Sequence, residues 1–99
     1  MKTVDTQVNA SGQLEIVGEL SFDTIPKLYE ISCDFIIESE QPIFNLQDAV
    51  SEDNSGIALL IACKRYANKH NKDIYFINLP NRLRDVIKLS GLESILAIK

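Results

Sequence analysis

From residue 25 onward the chain alternates between two periodicities, and that alternation constrains its fold more than any single motif. Ile25, Leu28, Tyr29, Ser32, Phe35 and Ile36 recur at helical spacing, with Lys27, Glu30, Asp34 and Glu38 on the opposite side. "QPIFNLQ" then reads as a brief buried strand, Ile57 to Ala67 as an apolar helix and "DIYFINL" as another buried strand. "PNRLRDVIKLSG" reads as a further helix, with Leu83, Val86, Ile87 and Ser90 along one side and Gly91 as its stop. Ser21 or Asp23 is placed to cap the first helix, and Pro26 and Pro80 suit first turns, where a missing N–H costs nothing. Strands joined through helices lie parallel, with right-handed connections. Ahead of this region, "TVDTQV" and "QLEIVGEL" alternate about a turn at Asn9, Ser11 and Gly12, which predicts a hairpin with Leu14, Ile16 and Gly18 on its inner face. "SILAI" is expected to close the chain as a strand. The predicted order is β-β-α-β-α-β-α-β: an α/β fold with a mixed sheet of four to five strands, about three helices, and helices on one or both faces.

Composition bounds the rest. The 99 residues are 45% hydrophobic and 24% charged, as expected for one small soluble domain spanning 1–99. No apolar run approaches the about 20 residues that cross a bilayer, and "MKTVDTQVNASG" lacks the apolar core of a secretory signal, so a cytoplasmic chain without direct membrane insertion is expected. The net charge of -4 argues against nucleic acid as a partner. Its distribution is uneven: Met1 to Cys63 holds 2 basic and 11 acidic residues, and Lys64 to Lys99 holds 8 basic and 3 acidic. Either a bipolar surface for a protein partner or charges averaged by folding is compatible with that asymmetry.

Catalytic chemistry is sparse. The single histidine, His70, falls with Lys69 and Lys72 at a helix C-terminus, where cations complement the backbone dipole. It is read as a solvated end residue and not a ligand. Cys33 and Cys63 are thirty positions apart with no CxxC, so they read as reduced, packed thiols without a metal. No phosphate-cradling glycine loop is present, and no Ser-His-Asp or Cys-His set can be assembled, so neither an enzyme nor a cofactor is expected. What stands out is the strand-to-helix turn "SEDNSG". Ligands and partners of parallel sheets gather beyond the strands' carboxyl ends, where the next helix presents unpaired amides. Asp53, Asn54 and Ser55 can each cap that helix, so Ser55 is either a cap or a regulatory switch.

These residues carry a resemblance. "GEL" at Gly18 to Leu20, the D-x-S-G-I turn from Asp53 to Ile57 and "LSGL" from Leu89 to Leu92, in this order and spacing, resemble the STAS family, named for sulphate transporters and anti-sigma factor antagonists. The resemblance covers nearly the whole chain and implies a non-catalytic domain acting by protein contact. It points two ways. In the antagonists, the serine before the turn glycine, here Ser55, is phosphorylated by a serine kinase that is also the anti-sigma factor, and phosphate releases that partner. The other way is the MlaB-type subunit of the Mla phospholipid ABC transporter, which binds the complex's ATPase at the inner membrane; "GELSFDTIPKLYE", with Tyr29 before Glu30, and "SGIALL" are similar to it. There the functional hydroxyl follows the turn aspartate, a position held here by Asn54. Asp48, Glu52 and Asp53 surround the turn with no adjacent cation, so phosphate on Ser55 gains little local support, and "FNLQ" has Asn45 where the family usually has aspartate. On these grounds the transporter-subunit resemblance is favoured, with an ABC ATPase as partner and peripheral attachment to the inner membrane through it. The partner-binding set it implies is Asp53 as charged acceptor, Asn54 as amide, Ser55 as cap or contact, Gly56 as room for close approach and Ile57 as apolar anchor or core.

Overall fold

The computed structural model describes residues 4–51 and 53–96. The elements are β1 (Val4–Val8), β2 (Leu14–Leu20), α1 (Ile25–Glu38), β3 (Ile43–Asn45), β4 (Ala49–Ser51), α2 (Ser55–Lys69), β5 (Tyr75–Ile77), α3 (Asn81–Leu89) and α4 (Glu93–Leu96). The predicted hairpin is present: β1 runs antiparallel to β2, and Asn9 Oδ1 accepts the amides of Ser11 and Gln13 to close the turn. All other pairings are parallel, in the order β1-β2-β3-β5, with β4 also on β2.

β3 and β4 are two pieces of one interrupted strand. Phe44 and Asn45 pair with Leu14 and Glu15, whereas Ala49 to Ser51 pair with Gly18 to Leu20, so Leu46, Gln47 and Asp48 face only Ile16 and Val17. The additional residue makes a bulge. Asn45 holds it: its Oδ1 accepts the Gln47 amide at 3.0 Å, and the Gly18 amide reaches across to the Asp48 carbonyl at 3.1 Å. The sequence "NLQDA" hides β4, because its polar residues read as a loop.

Successive crossovers move the same way across the sheet, from β2 to β3 and from β4 to β5, and right-handed connections then place α1 and α2 on one face. Burial agrees. Leu14, Ile16, Leu20, Phe44 and Phe76 point into a core shared with Leu28, Ile36, Leu59, Leu60, Cys63, Leu83 and Ile87, while Asp5, Gln7 and Val17 on the other face are exposed. Phe35 and Phe76 both pack on Phe44 at 5.4 Å between ring centres, pinning α1 and β5 to the middle of the sheet.

Three expectations change. "SILAI" does not begin a strand: Ser94 to Leu96 belong to α4, and Ala97 and Ile98 lie outside the described residues. Gly91, at φ 69°, reverses the chain after α3, and the amides of Leu92 and Leu96 then find local acceptors in Ile87 and Leu92, so no sheet edge is needed. Neither Ser21 nor Asp23 caps α1 with its side chain. The Ser21 carbonyl accepts the amides of Thr24 and Ile25, and Thr24 takes the cap position. Pro80 likewise sits at the cap of α3, one place before its first turn. No helix among the described residues is long and apolar enough to cross a membrane.

Candidate functional site

The turn from Ser51 to Ile57 leaves the carboxyl end of β4 and enters α2. Its hydrogen bonds assign the capping that the sequence left open. Asp53 Oδ1 accepts the Ser55 amide at 2.8 Å, an Asx turn that satisfies one of the unpaired donors at the helix start. Asn54 holds the cap position without a side-chain cap bond, and its carbonyl accepts the Ala58 amide. Ser51 donates its hydroxyl to the Asp53 carbonyl at 3.0 Å, tying the turn back to the strand.

These bonds sort the five residues by depth. Asp53 and Asn54 are exposed, Ile57 is half-buried against the core, and Ser55 and Gly56 are buried. Ser55 is only 1% exposed, and its Oγ makes no hydrogen bond among the described residues. A Cβ on Gly56 would stand 2.6 Å from Ser51 Oγ and 3.2 Å from Leu20 Cδ1. The room at Gly56 is therefore taken up from within, by α2 lying close on β2 and β4.

The register places a second turn alongside. Leu20 of β2 pairs with Ser51 of β4, so the loop from Ser21 to Thr24 leaves the same edge of the sheet as the loop before α2. There Thr24 Oγ1 donates to the Glu19 carbonyl at 2.8 Å and accepts the Ser21 amide at 3.0 Å. Ser21 and Thr24 are buried by this arrangement, and Phe22 between them is turned outward, 77% exposed. Sequence reasoning missed Phe22. Its signal was an aromatic outside the helical periodicity, flanked by cap-forming residues. The sheet's carboxyl end thus presents one aromatic ring, the carboxylates of Asp23 and Asp53 and the amide of Asn54, a mixture suited to hydrogen bonding and apolar contact with a protein surface.

The remaining reactive groups lie elsewhere. His70 stacks near Tyr66 at the far end of α2, about 22 Å along the axis from Ser55 at 1.5 Å per residue, so the two cannot act together. Burial pushes the Cys63 thiol up to about 12 and raises Cys33 as well, the latter opposed by Tyr29. Both are free thiols, and no group of three or more His, Cys, Asp or Glu side chains suited to a metal occurs among the described residues.

No family model matches the chain. It is similar to the anti-sigma-B factor antagonist of Staphylococcus aureus, 22% identical over 87 residues, covering 87% of this chain and 81% of that one. The antagonist of Staphylococcus epidermidis matches over the same shares at the same identity. Among solved structures, the anti-sigma factor antagonist SpoIIAA in its unphosphorylated form superposes with a TM-score of 0.72 at 18% identity, over 98% of this chain and 86% of that one. An anti-sigma factor antagonist from Mycobacterium paratuberculosis gives 0.75 at 17% identity, over 99% and 85%. The chain therefore has the SpoIIAA-like STAS fold, a mixed five-stranded sheet with four helices. The sequence relatives bear the antagonist's name, so they support that side of the resemblance and not the transporter side.

Proposed function

We propose that this chain is a non-catalytic anti-sigma factor antagonist, engaging a kinase-type anti-sigma factor with the surface at the carboxyl ends of β2 and β4. The observation that carries the reading is the exposed pair Asp53 and Asn54, held at the start of α2 by the Asx turn and bordered by outward-facing Phe22. A partner can hydrogen-bond to the pair without disturbing the core, while the aromatic ring supplies apolar contact.

Ser55 serves this reading as a switch under one condition. A phosphate adds about two negative charges, and Ser55 Oγ has no solvent exposure in the closed turn, so modification requires the first turn of α2 to open. Once added, the phosphate cannot return beneath the surface beside the Asp53 carboxylate, and the docking turn stays disrupted. The MlaB-like alternative uses the same exposed pair against an ABC ATPase, and the two readings differ in what is bound.

The deciding experiment is affinity purification of the tagged chain from its own cells in mild detergent, with mass spectrometry of the partners and of the peptide around Ser55. A serine kinase in the eluate, with phosphate on a fraction of Ser55, supports the antagonist. An ABC ATPase with its permease, and unmodified Ser55, overturns it in favour of the transporter subunit. Asn54→Lys, at an exposed position without a side-chain cap bond, is expected to keep the melting temperature and weaken partner binding at least about tenfold, the size of one lost interface contact; unchanged affinity removes this turn from the interface.

A further inference from the structure

A groove of about 230 Å³ lies between α2 and α4, away from the turn. Ile61, Lys64 and Arg65 are three and four positions apart on α2 and line one wall as a single stripe. Leu92 and Ile95 line the other side, and Ile95 is 59% exposed. No carboxylate is among the described residues that line it. The result is an apolar floor with two cations and the Asn68 amide on one wall.

The stretch from Lys64 to Lys99, which supplies Lys64, Arg65 and α4, holds 8 basic and 3 acidic residues. The groove sits in the basic part of a chain whose net charge is -4.

We propose that this groove is a second docking surface, which takes an acidic amphipathic helix from a partner protein. Such a helix places apolar side chains at i and i+3 or i+4, a spacing that lets a pair of leucine-sized groups enter the groove. Carboxylates flanking that stripe then meet Lys64 and Arg65. A nucleic acid would need a longer cationic track than two neighbouring side chains provide. Lys64 lies about 13 Å along α2 from Ser55, so the groove and the turn can be occupied together, and the inference does not depend on the function proposed for the turn.

The test uses the full chain and a fluorescein-labelled peptide of about 14 residues, roughly four helical turns, with leucines at i, i+3 and i+7 and glutamates beside them. A control peptide carries lysine for every glutamate. Anisotropy should show the acidic peptide binding with Kd on the order of 10 to 100 μM and weakening as salt is raised, as befits a small, charge-assisted contact. Amide NMR shifts should centre on Ile61, Lys64, Arg65 and Ile95. The double variant Lys64→Glu, Arg65→Glu and the single variant Ile95→Asp should each weaken binding at least about tenfold. Ile95 is largely exposed, so Ile95→Asp should melt like the parent and separate lost binding from lost folding.

No binding of the acidic peptide, equal binding of the lysine peptide, or shifts centred on Asp53 and Asn54 overturns the proposal. Sedimentation showing a dimer that the peptide does not dissociate, with the groove protected in it, assigns the surface to a second copy and also overturns it. Each of these outcomes leaves the kinase experiment on the turn unaffected.

Discussion

The β2–α1 and β4–α2 units leave the sheet side by side, at the paired residues Leu20 and Ser51, yet their turns are closed by different means. In the first, Thr24 Oγ1 both donates and accepts, bonding the half-buried Glu19 carbonyl and the buried Ser21 amide. In the second, Asp53 accepts the Ser55 amide and Ser51 ties down the Asp53 carbonyl, but the Ser55 hydroxyl is left buried without a bond among the described residues. A buried hydroxyl without a partner costs about 1–3 kcal/mol. The hydroxyl in the first turn is thus bonded on two sides, and the one in the second has no bond among the described residues. Two turns with similar polar composition therefore differ in how fully their buried hydroxyls are bonded.

Breaking the second turn from inside should have the largest effect. Gly56→Val puts a branched side chain where a Cβ alone would meet Ser51 Oγ at 2.6 Å and Leu20 Cδ1 at 3.2 Å. Overpacking of this kind costs about 2–3 kcal/mol, measured by urea denaturation. Adding Ser51→Gly should recover part of that loss, because the nearest obstructing atoms belong to Ser51. If the double variant is no more stable than the single one, the close approach of α2 to β4 is not what requires glycine.

Breaking the first turn should cost slightly less. Thr24→Val keeps the shape but removes the acceptor of the buried Ser21 amide, for a loss of about 1–3 kcal/mol. A loss below about 0.5 kcal/mol, within the range of ordinary surface changes, would mean that this turn is not held by the Thr24 hydroxyl.

The two helices also differ in their thiols. Cys33 on α1 is half-buried, whereas Cys63 on α2 is 1% exposed and is pushed up to about 12 from 9.0, chiefly by burial. Between those values the unfolded chain releases a proton that the folded chain keeps, so stability is full below pH 9 and falls as pH rises toward 12. The expected loss is on the order of 1 kcal/mol at pH 10. Thermal melts should show this slope in the parent and a flatter one in Cys63→Ala; identical slopes would place the alkaline sensitivity elsewhere.

How far the sequence foretold this contrast depends on what each pattern encodes. Periodicity disclosed α1 in full, down to Leu28, Ser32 and Ile36 on its buried face, because the side chains that define the period also make the core. It missed β4, since a three-residue strand that follows a bulge has no period to display. It misread "SILAI" because a four-residue helix and a short strand share the same apolar run, and only Gly91 and the carbonyls of Ile87 and Leu92 decide between them. At the turn, residue types named the place but not the depth. Asp53, Asn54 and Ser55 are equivalent as cap formers, and only the hydrogen bond from the Ser55 amide to Asp53, with the contact of Gly56 on Ser51, puts two residues outside and two within.

The smallest effect separates the turns most cleanly. Ser55→Ala removes a hydroxyl that makes no bond among the described residues, and alanine is the better helix former, so stability should stay unchanged or rise by up to about 1 kcal/mol. The equivalent removal at Thr24 runs the other way. Opposite signs for two buried hydroxyls in neighbouring turns cannot arise from burial alone, which is similar for both; a gain beyond the few tenths of a kcal/mol that helix propensity supplies at Ser55 requires that one hydroxyl is bonded and the other is not. If Ser55→Ala destabilises as much as Thr24→Val, the Ser55 hydroxyl has a partner in solution and the second turn is as closed as the first. A neutral or stabilising result leaves Ser55 without a structural reason to be serine, as the switch proposed for it requires.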